Sequence, residues 1–168
     1  MTAATESMRD EFREEAAITK RVLDRVPANK LAWRPHPKSM SLGQLAMHIA
    51  RVPGDLAKLL QLDEFDASQA NFDPPAPKDM GEIHAVLEQS VRDAEALLNG
   101  MSEQKAQSNW RLIVHGKPVV DQPRIQVARS IMMNHWYHHR GQLSVYLRLL
   151  DVPVPVIYGR SADENPFA

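Results

Sequence analysis

The chain has 168 residues, 43% of them hydrophobic and 24% charged, which suits one domain with a buried core. A formal charge of −1 gives no electrostatic reason to expect nucleic acid or an anionic membrane as partner. There is no cysteine, so disulfides, thiolate ligands and a cysteine nucleophile are excluded, and any metal site must be built from His, Asp or Glu. The N-terminus is charged and lacks an apolar signal core. No apolar run approaches membrane-spanning length, so a cytoplasmic location is expected.

A helical period runs from about Thr5 to Arg25 and is limited by Pro27. Acidic residues crowd its front half and basic residues its end, an order that complements the helix dipole. Pro27 to Met40 reads as a loop that Trp33 anchors. Ser41 and Gln44 fit a capping box opening the second helix, whose apolar face continues through Leu45, Ile49, Val52 and Leu56. His48 lies on that inward face, where a lone histidine is ordinarily a satisfied core residue. Pro53 should kink or divide this helix. Asp63 to Lys78 is polar and proline-rich and reads as a long crossing loop. Asp79 and Glu82 form a second capping box, and the third helix ends near Gly100, with His84 as a surface histidine. Two short apolar runs flank His115-Gly116-Lys117 as a hairpin or an extended loop, with Pro118 weakening the second strand.

From about Pro123 the fourth helix runs to Leu150, after which Val152-Pro153-Val154-Pro155 starts an extended tail. The fold class expected is all-α: a four-helix bundle with a long crossover, a short β-hairpin before the fourth helix and an extended C-terminal tail. His135 and His139 are i and i+4, one turn apart on one side, so two imidazoles can grip one divalent ion there. The bland alternative is surface or hydrogen-bonded core histidines. His138 is rotated by about 100° from His139, which makes it a pocket wall or candidate base. Met133, Trp136 and Tyr137 point away from the His135/His139 side. Either the tail or a second copy must cover them, and a homodimer is expected. Asn134, Arg140 and Gln142 could contact a substrate or serve packing.

Trp33-Arg34-Pro35, SLGQLAMHIA with His48, HWYHHRGQL at His135–Leu143 and the closing PVPVIYGRSADE together resemble the DinB-like (DinB/YfiT) proteins. The resemblance spans most of the chain in order. It implies a four-helix bundle, frequent homodimers and a divalent metal, commonly nickel or zinc, held by His48, His135 and His139. It also implies relatives that use a low-molecular-weight thiol for transfer or isomerisation. Three neutral imidazoles leave coordination positions open to water or substrate, the pattern of a catalytic site. An HExxH helix supplies its own general base, but here no carboxylate lies between Gln122 and Leu150. The reading therefore leans towards thiol-dependent transfer over hydrolysis, the thiol arriving as cofactor or substrate. The alternative is a non-catalytic metal- or ligand-binding, stress-associated bundle. The loop Trp33–Met40 and the segment Tyr158–Glu164 are expected to border the pocket.

Overall fold

The computed structural model describes residues 3–167; Ala168, the end of the expected tail, lies outside the described residues. In chain order the elements are α1 (Ala3–Leu23), α2 (Leu42–Leu59), β1 (Glu64–Asp66), α3 (Met80–Gly100), α4 (Glu103–Gln107), β2 (Asn109–Val114), β3 (Lys117–Pro123), α5 (Arg124–Val127) and α6 (His135–Leu149). A π-helical segment, Ala128–Asn134, joins α5 to α6 without a break. The molecule is thus mostly helical with a small sheet. α1 packs on α3 and α6, and α2 packs on the same two, so the four long helices close a ring around Phe12, Leu45, Ile49, Ile83 and Trp136. No helix among the described residues is long and apolar enough to cross a membrane.

The capping box is present: Ser41 Oγ accepts from Gln44 N at 3.2 Å, and Ser41 N donates to Gln44 Oε1 at 3.0 Å. At the start of α3, Asp79 Oδ1 accepts from Glu82 N, but Glu82 Oε2 accepts from Lys78 N, one residue earlier than in a closed box.

Pro53 does not divide α2, which continues six residues beyond it to Leu59. A proline removes the donor that would meet the carbonyl four residues back, here that of Ile49. Trp136 fills the vacancy by donating its indole N–H to Ile49 O at 2.8 Å. On another side of the same turn Gly54 touches α3 so closely that an added Cβ would stand 2.7 Å from Ser90 Cα. Ser90 Oγ accepts from Gly54 N at 2.6 Å. Both neighbours of α2 are therefore docked on its proline turn, a few residues beyond His48.

The expected crossing loop contains a strand. β1 pairs in parallel with β2, Glu64 opposite Arg111, and β2 pairs antiparallel with β3. Three residues are too few for an alternating pattern to appear in sequence; the pairing comes from β2 lying alongside. The hairpin is formed, with His115 and Gly116 both at positive φ in a two-residue turn. Pro118 is accommodated because β3 is an edge strand and a bulge falls opposite Leu112/Ile113. Arg124, 1% exposed, ties this sheet to the end of α2. Its guanidinium donates to the carbonyls of Leu60, Leu62, Ser108 and Asn109 and to Asp63 Oδ1 at 2.5 Å.

The face expected to need the tail or a second copy to cover it is covered within the chain. Trp136 and Met133 are fully buried, Trp136 stacking on Phe12 with ring centroids 5.3 Å apart. Tyr137 donates its hydroxyl to Glu11 Oε1 at 2.9 Å. These residues therefore give no reason to expect a homodimer. The tail is not extended throughout: beyond Tyr158 it folds back on itself. Ser161 Oγ donates to Val154 O at 2.7 Å, Asp163 accepts from Val154 N, and Glu164 accepts from Val156 N and from Arg25. Polar side chains of Ser161, Asp163 and Glu164 supply the partners that an isolated extended strand would lack.

Candidate metal centre

α2 and α6 face each other, and the ring places His48 of α2 opposite His135 and His139 of α6. One ligand nitrogen from each of the three histidines lies within 4.8 Å of the others. His48 Nε2 and His135 Nε2 are 3.0 Å apart. Two such nitrogens must share one proton or face a common cation. Two ligands at about 2.0–2.1 Å from one ion stand roughly 2.8–3.4 Å apart for angles between octahedral and tetrahedral, so the spacing fits a metal. The rings meet edge to face, with centroids 4.4 Å apart for His48–His139 and for His135–His139. His139 is buried, and His48 and His135 are half-buried.

Gln142 orients the set. Its Oε1 lies 2.8 Å from His139 Nδ1, and its Nε2 lies 2.9 Å from His138 Nε2. An amide oxygen only accepts, so His139 carries its proton on Nδ1 and its Nε2 lone pair is free for a ligand role. The spacing i+3 from His139 and i+4 from His138 was the available sequence signal for this contact. Replacing Gln142 by alanine should weaken zinc binding by roughly 10–100-fold, as loss of such outer partners does, measured by competition titration.

Burial holds the His48 imidazole well below its usual range, at about 4, helped by the nearby charges of His139, His135 and Arg51. Burial also lowers His135 and His139, with the Gln142 hydrogen bond partly opposing this at His139. The sign follows directly. Above about pH 6.5 the histidines are neutral in folded and unfolded chains alike and contribute nothing to the balance. Between that pH and about 4, the unfolded chain takes up a proton that folded His48 refuses, so the metal-free protein loses stability as pH falls through this window. The same depression keeps lone pairs available to an ion. Zinc binding should therefore persist below the free-imidazole range, with a proton-competition midpoint under pH 6.5 by calorimetry.

An apolar cavity of about 490 Å³ reaches this cluster, with His48 and His135 in its wall. Its other walls come from α2, β1, β2, residues 70–74 of the crossover and Ile131 of the π-helical segment. Neither Trp33–Met40 nor Tyr158–Glu164 lines it. Trp33 instead packs edge-on against Tyr146, and Tyr158 lies against Glu15 and Arg140 on another side of α6. Arg140 is not a pocket residue either: it is 1% exposed and paired with Glu15. His138 is exposed, its ring 5.0 Å from that of His139. His84 is half-buried, not a plain surface residue, with Nε2 3.2 Å from Asp24 Oδ1, and His115 is exposed in the hairpin turn; neither joins the cluster.

Among solved structures, a DinB-like protein of Bacillus subtilis (YjoA) superposes with a TM-score of 0.69 at 16% identity, covering 89% of this chain and 96% of its own. A DinB-like protein of Bacillus cereus gives 0.68 at 22% identity, covering 89% and 94%. The mycothiol-dependent maleylpyruvate isomerase gives 0.53 at 13% identity, covering 92% of this chain and 65% of that one. At these identities the likeness is one of fold. No curated protein matches the chain by sequence. The model of the DinB family matches residues 1–165, and the chain belongs to the DinB family.

Proposed function

We propose that the protein is a metal-dependent enzyme built on a four-helix bundle, in which His48, His135 and His139 hold one divalent cation, nickel or zinc. The observation that carries this reading is the convergence of three oriented imidazoles, two of them in the wall of a cavity of small-molecule size. When bound, such a cation lowers the pKa of a coordinated thiol or water and so supplies a nucleophile at neutral pH.

Thiol-dependent transfer is favoured over hydrolysis by what surrounds the histidines. The one carboxylate in the cavity wall is Asp55, seven residues and so about 10 Å along α2 from His48, and it accepts from Arg51 Nε at 3.1 Å. That is too far to take a proton from water at the histidines. His138 is the nearer candidate base, but its Nε2 already accepts from Gln142. A low-molecular-weight thiol needs no such base if its proton is already lost on coordination. The structural likeness to a mycothiol-dependent enzyme supports this choice.

The test is product formation from 1-chloro-2,4-dinitrobenzene by tag-free, zinc- or nickel-loaded protein, with glutathione, bacillithiol or mycothiol. Turnover requiring both metal and thiol, and lost in His139→Ala, is expected. Ester hydrolysis independent of thiol would favour a hydrolase. No turnover of either kind would favour a non-catalytic metal- or ligand-binding protein.

A further inference from the structure

The cavity beside the histidines has a character that the metal reading does not require. Its wall is mostly apolar, with Val52, Leu56, Leu59, Phe65, Trp110 and Leu112 contributed by α2, β1 and β2. Trp110 is buried, and its indole N–H is already bound to Leu59 O at 3.0 Å, so it offers the cavity its ring and no donor. The charged residues in the wall, Arg51, Asp55 and Lys58, are half-exposed or exposed on α2, and each has a partner. Arg51 pairs with Asp55 at 3.1 Å and Lys58 with Asp93 at 3.3 Å. Apart from Asn71 of the crossover, whose Oδ1 accepts from Asp73 N at 2.8 Å, the cavity therefore presents apolar surface along its length and lone-pair nitrogens at one end.

We propose that this cavity takes a small molecule with an aryl or branched-alkyl body and a single oxygen or sulfur donor, the donor directed at His48 and His135. The proposal rests on the metal reading for the role of its donor end. Its volume, about 490 Å³, is that of a small-molecule site and not of a peptide groove. Continuity with the two histidines sets the direction in which an occupant lies. A sugar-like or polyanionic body would strand most of its hydroxyls or charges against Leu56, Phe65 and Leu112, whose side chains offer no polar partner. A thiol cofactor of polar character is thereby assigned a different approach, and the apolar co-substrate occupies this cavity.

The experiment compares 4-phenylbutyrate, butyrate and gluconate, titrated into full-length, tag-free protein with and without zinc, followed by tryptophan fluorescence and calorimetry. The phenyl compound should bind metal-free protein at least tenfold more tightly than either of the others, and zinc should tighten it further. Leu112→Trp and Leu56→Trp, each filling the cavity, should weaken it at least tenfold with zinc affinity and melting temperature retained. Val119→Trp, on the exposed outer strand, should leave binding unchanged. Equal affinity for the three compounds, or binding indifferent to both filling variants, would overturn the proposal. Failure of zinc to bind while the phenyl preference persists would remove the metal reading and still support the apolar cavity.

Discussion

Replacing Arg140 by alanine is expected to lower the unfolding free energy by roughly 3–5 kcal/mol, the cost of leaving a buried charge without its partner. Arg140 and Glu15 have side chains only 1% and 10% exposed, with Nη2 and Oε2 2.5 Å apart. Arg140 Nη1 also donates to Glu15 O at 3.2 Å and to Thr19 Oγ1 at 3.0 Å, and Nη2 to the Tyr158 hydroxyl. The guanidinium lies against both the Tyr137 and the Tyr158 ring, 5.2 and 5.1 Å from their centroids. One side chain thus joins α1, α6 and the tail. Lysine would keep the charge but lose the planar fork, so Arg140→Lys should recover only part of the loss. Replacing both members, Glu15→Leu with Arg140→Met, should be milder than Arg140→Ala, because no charge is left stranded. Urea denaturation checks all three; a double variant as unstable as the single would contradict the explanation.

His135→Ala and His139→Ala should each reduce divalent-metal affinity by more than the roughly 10–100-fold that loss of an outer partner costs. His48→Ala should do the same from the facing helix. His84→Ala and His115→Ala should leave affinity unchanged, since neither histidine belongs to the cluster. His138→Ala should retain the metal, because its ring is exposed and its Nε2 points to Gln142. Competition titration with a chromogenic chelator on metal-stripped protein measures each of these.

What could be read from residues alone was whatever has a local rule. The i, i+4 pair His135/His139 and the Ser41/Gln44 capping box follow from helical geometry and recur in the structure. Pro53 defeated its local rule because Trp136, 83 residues later in the chain, takes up the carbonyl that the proline leaves free. β1 escaped notice because a three-residue strand has no period of its own. The π segment before His135 escaped for a different reason. A widened turn changes the backbone register without a side-chain signature, although Ser130 Oγ does bond back to Gln126 O within it. Arg140 is the clearest lesson at the site. Beside a ligand candidate in sequence it looked available to a substrate, yet one position along a helix turns a side chain by about 100° into a buried ion pair.

The central claim is that three imidazoles share one ion, and X-ray absorption at the zinc edge counts them directly. Zinc-loaded, tag-free protein should contain one ion per chain, with three imidazole nitrogens at about 2.0–2.1 Å and an open position completed by water or buffer. His48→Ala, His135→Ala and His139→Ala should each lose one imidazole from that shell or fail to load. A first shell of oxygen atoms alone, or three imidazoles surviving in any of the three variants, would contradict the account.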